Sequence, residues 1–186
     1  MLPDKFKWLE TKGVLPKLVA AALQYLGVKE IPGAKNNPVI MDMAKGLGVQ
    51  KIYASDEVSW CAVFINHLLR ITGKPIDLKP KDKYDLLRAL KTASLPVYEV
   101  VPKGQEKLGD LVLMKRAGGG HVTLWIAETP NGFFVGLGGN QSNSVTFSEF
   151  DQKRIEKVLR YYKTGIPASA QHYTMDNTGS VSTNEA

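Results

Sequence analysis

The chain holds one cysteine, Cys61, in SDEVSWCAVFINHLLRITG (residues 55–73), and three histidines, His67, His121 and His172. A thiolate attacks a carbonyl carbon where a thiol does not, and an unperturbed cysteine titrates at about 8.5. The start of a helix lowers that value, because unpaired backbone N–H groups and the helix dipole favour the anion. Cys61 follows Trp60 at the start of an apolar run that reads as a helix, and Ser55 or Asp56 just upstream offers a capping side chain. A free cysteine is also among the most buried residue types and is usually inert. Position alone therefore leaves both readings open.

A cysteine nucleophile needs an imidazole to share its proton and return it to the leaving amine. His67 lies six residues along the same helix and points elsewhere, and His172 lies in the polar C-terminal stretch. His121 opens a strand behind three glycines in AGGGHVTLWIAE (117–128). Glycines there let a substrate or another backbone approach closely. Such a base is oriented by a polar partner that fixes its tautomer. Asn140 follows Gly138 and Gly139 in FFVGLGGNQSNSV (133–145). If the PNG turn (130–132) pairs 122–128 with 132–139, the second strand returns beside the start of the first and sets Asn140 next to His121. The plainer readings are a structural histidine and a turn asparagine.

The elements that must hold these residues fall into two halves. Residues 16–27 read as a helix, with Pro16 in its first turn and Gly27 at its stop. VKEIPGAKNNP (28–38) is a loop, PVIMDMAKGLG (38–48) a second helix, 58–72 a third, and 82–93 a fourth, amphipathic one. Short β-branched or aromatic runs follow at 96–101, 109–116, 120–128, 132–139 and 144–150, while 154–163 is either a strand or a short helix. Helices first and an antiparallel meander after make an α+β layout, with helices packed on a sheet of about five to six strands. The division expected is an N-terminal segment 1–15, a domain 16–163, and a mobile polar tail 164–186.

Composition narrows the partners. At 186 residues one domain suffices, and a single cysteine excludes an intramolecular disulfide and the zinc patterns built on several cysteines. No apolar run approaches the roughly 18 residues of a membrane span. MLPDKFKWLETKG has no apolar core of a secretory signal. The expectation is synthesis in the cytoplasm, with any target outside the cell reached after release by another agent. Net charge is +6, and +8 over residues 1–163, because the tail carries Asp176 and Glu185 but no Lys or Arg. That surplus points to an anionic partner. The cations are scattered rather than striped with aromatics, which argues against nucleic acid and leaves cell-wall polymers or lipopolysaccharide.

DEVSWCAVFINHLLRITGKP, LGDLVLMKR, GGGHVTLWIAE and VGLGGNQSNSV, in that order, resemble the CHAP and NlpC/P60 superfamily of peptidoglycan-cleaving cysteine enzymes. The resemblance is nearest to a phage-associated branch and covers roughly residues 16–162. It implies a papain-like fold and cleavage of amide bonds in peptidoglycan. The chain shows no acidic cluster resembling the calcium site of some CHAP enzymes, so no metal or cofactor is expected, and the expected state is a monomer. Position by position it implies Cys61 as nucleophile, His121 as base and Asn140 as the third polar residue. Many CHAP members carry a Glu shortly before that Asn, where this chain has Gly138. GVKEIPG (27–33) also resembles this branch, where it borders the cleft. Glu30, Trp60, Trp125 and Gln141 are the candidate substrate-binding residues. The expected function is thus a phage endolysin or virion-associated muralytic enzyme. The alternatives are a Cys-dependent acyltransferase or transamidase, and a catalytically inactive wall-binding or structural module.

Overall fold

The structure is a computed structural model that describes residues 1–74, 86–87, 98–116, 118–162 and 165–179. It begins with a 3-10 helix, Asp4–Lys12, whose Phe6 and Leu9 are buried. Phe6 stacks on Phe147 of the sheet with ring centroids 3.7 Å apart, so the N-terminal segment is part of the core. Three α-helices follow: α1 (Lys17–Leu23), α2 (Pro38–Gly46) and α3 (Cys61–Ile71). Pro16 precedes α1 and Pro38 occupies its favoured place at the start of α2, capped by the Asn37 side chain accepting from Val39 N–H at 2.9 Å. The expected fourth helix, 82–93, lies outside the described residues except for a helical pair at 86–87.

The second half is one antiparallel sheet of β1 (Glu99–Val100), β2 (Leu111–Arg116), β3 (Gly119–Thr129), β4 (Phe133–Gln141), β5 (Ser144–Asp151) and β6 (Ile155–Arg160). Its order is β1-β6-β2-β3-β4-β5. The α+β layout and the strand count match the sequence reading, and the ambiguous 154–163 resolves as a strand paired with both β1 and β2. Arg160 at its end is clamped in place: its guanidinium donates to both oxygens of Asp110 at 3.0 and 2.7 Å and to the Gln105 carbonyl at 2.7 Å.

Alternation along the strands builds two cores. Leu111, Leu113, Val122, Leu124, Val135 and Leu137 face the helices. Val112, Met114, Trp125, Phe134, Phe150 and Val158 pack on the opposite face. Trp125, expected to line a cleft, is fully buried there and stacks on Phe134 at 4.6 Å.

Within the expected mobile tail 164–186, residues 165–179 lie against the domain, and 164 and 180–186 lie outside the described residues. Residues 165–179 are held along the domain by backbone pairing and buried polar contacts, with Tyr173 and Met175 packed against the core. Leu108 N–H donates to the Gln171 carbonyl at 2.9 Å, Glu128 N–H to Tyr173 at 2.8 Å, and Met175 N–H returns to Glu128 at 2.9 Å. The His172 imidazole bridges the Glu106 carbonyl at 2.9 Å and the Glu128 carboxylate at 3.0 Å. The buried Glu149 carboxylate takes the Thr178 N–H at 3.0 Å and hydroxyl at 3.1 Å. Deleting residues 165–186 strips two of the donors that solvate Glu149, and a buried carboxylate without donors is costly. Thermal unfolding by circular dichroism should show a melting temperature lower by roughly 5–10 °C. Overlapping melts of the full and truncated chains would refute this account.

Candidate active site

Cys61 is the first residue of α3, and Trp60 stands at its N-cap with no side chain bonded to the helix end. The capping role expected of Ser55 or Asp56 is not filled, because both are used elsewhere and the helix begins three residues later than expected. Ser55 accepts from Glu57 N–H at 3.2 Å. Asp56 is buried and accepts from the Ile31 and Asn37 N–H groups at 3.0 and 2.7 Å, which ties the 28–38 loop to the approach to α3. The bare helix end leaves its positive pole to the thiol.

Gly139 lets α3 come down onto the sheet. A Cβ there would lie 2.5 Å from the Trp60 ring and 2.7 Å from Phe64. The close approach sets Cys61 where the β3–β4 ladder gives out. That ladder ends at Leu124↔Leu137, three residues along β3 from His121, and the Val122 N–H lies where it favours the Cys61 thiolate. At this frayed end a cysteine from the helical face meets a histidine from the other face. His121 shares the face of Trp125, and its ring lies 5.5 Å from Phe150.

Both catalytic candidates are enclosed: Cys61 is 3 % exposed and His121 is 0 % exposed. Burial pushes the thiol up. The His121 imidazole opposes it through charge and a hydrogen bond, the Val122 N–H and the Arg116 guanidinium add to that, and the net effect is a thiol below its ordinary value. His121 Nε2 is taken by Gln141 Oε1 at 3.3 Å. Nδ1 is buried with no hydrogen-bond partner, and is the nitrogen left to serve the thiol.

The side chain bonded to the imidazole at Nε2 is that of Gln141. The Leu124↔Leu137 register, extended three residues each way, would set His121 opposite Asn140. A β-bulge intervenes: between Gly138 and Gln141, β4 carries one residue more than β5, and Asn140 takes φ +57°. The extra residue turns Gln141 onto the face of Thr123 and His121. Gly138 makes the space, since a Cβ there would lie 2.5 Å from Gln141 Oε1. The space beside Gly138 is thus filled by the Gln141 carboxamide, from three residues downstream. That carboxamide is fixed at both ends. Thr123 Oγ1 donates to Oε1 at 2.8 Å, and Nε2 donates to the Thr146 and Gly136 carbonyls at 2.6 and 3.2 Å.

Gln141→Ala is expected to cut the rate about ten- to a hundredfold, because it removes one neutral hydrogen bond to the base. Gln141→Glu retains the acceptor but adds a charge that favours imidazolium, so its pH optimum should move upward. Asn140→Ala should act mainly on stability, since alanine tolerates φ +57° less well than asparagine. A pH–rate profile of Gln141→Glu that overlays wild type would remove Gln141 from the site.

The cavity at Cys61 is about 60 Å³ and is lined by Ser59, Ala62, Arg116 and Gly118–Gly120 among others. Arg116 Nη2 donates to Ser59 Oγ at 3.2 Å. Arg116 and Thr123 escaped the sequence reading. The signal for Thr123 was its i+2 relation to His121, and that for Arg116 its place just before the glycine run. None of the expected substrate residues lines this cavity. Trp60 is buried and donates its indole N–H to Glu30 Oε1 at 2.7 Å. Burial raises the Glu30 carboxyl above its usual range, with Asp56 and Glu57 adding to the effect and the Trp60 bond opposing it. Glu30 N–H also donates to the Asn143 carbonyl at 2.9 Å, so this loop braces the β4–β5 turn. His67 receives or donates a 2.7 Å bond with the Tyr25 hydroxyl, away from the cavity.

Among the described residues no group of His, Cys, Asp or Glu is placed to hold a metal ion, and no helix is long and apolar enough to cross a membrane. No protein-family model matches the chain, and no curated protein matches its sequence. What the fold and site define is a helices-then-sheet α+β chain with a buried Cys–His–Gln cluster opening on a small, arginine-lined cavity.

Proposed function

We propose that this protein is a cysteine amidohydrolase with a papain-like fold, of the CHAP and NlpC/P60 kind, that cleaves an amide bond of the peptidoglycan peptide stem. The observation that carries the reading is the placement of Cys61 at the uncapped start of α3 and on a cavity, beside a buried His121 whose Nε2 is occupied by Gln141. The sequence motifs supply the substrate class, and the net charge of +6 suits an anionic envelope.

In this mechanism His121 takes the thiol proton and Cys61 Sγ bonds to the amide carbonyl carbon. The Cys61 backbone N–H at the bare helix end supports the oxyanion. The C–N bond breaks as His121 returns the proton to the leaving amine. His121 then deprotonates water, which attacks the thioester, and the C–S bond breaks to release a carboxylate and restore the cysteine. The enzyme acts on the wall after release by another agent, as a lytic enzyme of phage type.

Digestion of purified peptidoglycan followed by mass spectrometry tests the reading. The expected products carry a new amine, either at the sugar–peptide link or within the stem, and are absent with Cys61→Ala. Fragments cut only at glycosidic bonds, or none at all, would overturn it.

A further inference from the structure

We propose that Arg116 reads a free carboxylate on the substrate, so that cleavage is confined to amides lying within about one residue of an acidic group. The inference rests on Cys61 being the nucleophile, because Arg116 and Cys61 line the same cavity. Arg116 closes β2 at the turn into β3, opposite Gly119. Its hydrogen bond is to a neutral hydroxyl, Ser59 Oγ at 3.2 Å, and its Nε is buried with no partner. Among the described residues no acidic side chain pairs with it.

The contrast with Arg160 is informative. That guanidinium, placed for structure, is filled on both edges by Asp110 and by the Gln105 carbonyl. A guanidinium presents five donors in a rigid fork whose natural complement is a two-oxygen anion. An unmet buried N–H is costly, and an incoming carboxylate would remove that cost. Gly118, Gly119 and Gly120, which carry no side chains, share the cavity lining with Arg116, Ser59 and Leu87.

The same cation also lowers the Cys61 thiol. Two roles must therefore be separated: support of the thiolate, and recognition of substrate. Purified peptidoglycan would be used before and after its free carboxylates are converted to carboxamides with carbodiimide and ammonia. Wild type is expected to lose about 30-fold in kcat/KM on the amidated polymer, the scale of a charge-assisted pair. Arg116→Gln should lose a similar factor on the native polymer and then be indifferent to amidation, with Arg116→Lys between the two. Equal losses by Arg116→Gln on both polymers would mean that the residue serves the thiol alone, which overturns the proposal.

A binding arm keeps this result independent of the catalytic reading. Cys61→Ala protein should sediment with native peptidoglycan about tenfold or more better than with amidated polymer, and Arg116→Gln in that background should erase the difference. No difference in the parent would also overturn the proposal, whatever the chain cleaves. Synthetic stem peptides amidated at the acidic residue alone, or at the C-terminus alone, then show which carboxylate is read. Loss of cleavage with either supports the proposal, and loss with neither refutes it.

Discussion

Cys61→Ala is expected to abolish peptidoglycan cleavage, by about 10⁴-fold or more, while the protein keeps its fold. The loss is large because the covalent route disappears altogether. The fold should survive because alanine is a good residue in the first turn of a helix and the change removes a single buried sulfur. The neighbours that define the helix position, Trp60 and Phe64 against Gly139, are untouched. Cys61→Ser should be nearly as inactive, since a hydroxyl titrates far above a thiol and this imidazole cannot hold it ionised. The clearing of a peptidoglycan suspension reads activity, and thermal unfolding reads the fold. Equal clearing by wild type and Cys61→Ala would end the cysteine mechanism.

Particular residues explain why parts of this candidate site could be read from the sequence and parts could not. Cys61 and His121 were reachable because each sits at the start of an element with a strong local signature: an apolar helical run and a strand behind a glycine turn. Gln141 was not, because the argument for Asn140 assumed an unbroken ladder, and one extra residue in β4 changes which side chain faces His121. Nothing in NQSN marks a bulge before the pairing partner is known. Trp125 was misplaced for a related reason. It shares a face with His121, but four residues of strand set it about 13 Å along, inside the second core. The hold on residues 165–179 was not legible because composition counts apolar area and misses backbone pairing. Its anchors, the Leu108 and Glu128 backbones and the buried Glu149, belong to distant parts of the chain. Asp56 looked like a helix cap from its neighbours alone, yet its partners lie about twenty residues upstream in Ile31 and Asn37.

His121→Ala is expected to cost nearly as much as loss of the nucleophile, about 10³-fold or more, and to cost little more when combined with Cys61→Ala. The reason lies in the balance of effects on the thiol. Burial is the largest influence on Cys61 and acts upward, and the next two, the charge and the hydrogen bond of His121, act downward. Without the imidazole only the weaker pulls of the Val122 N–H and Arg116 oppose burial, so the thiol must rise relative to wild type. Each unit of that rise removes about tenfold of the thiolate present at neutral pH. The alkylation of Cys61 by iodoacetamide should therefore slow at pH 7, and its pH profile should move to higher pH. Wild-type Cys61 should show the opposite displacement from free cysteine. A residue that only packs against Phe150 would change stability without moving this profile. His67→Ala supplies that comparison, because His67 bonds Tyr25 away from the cavity and should lower the melting temperature with the alkylation profile unmoved. Superimposable alkylation profiles for wild type and His121→Ala would show that the imidazole does not reach the thiol, and the site would have to be rebuilt without a histidine base.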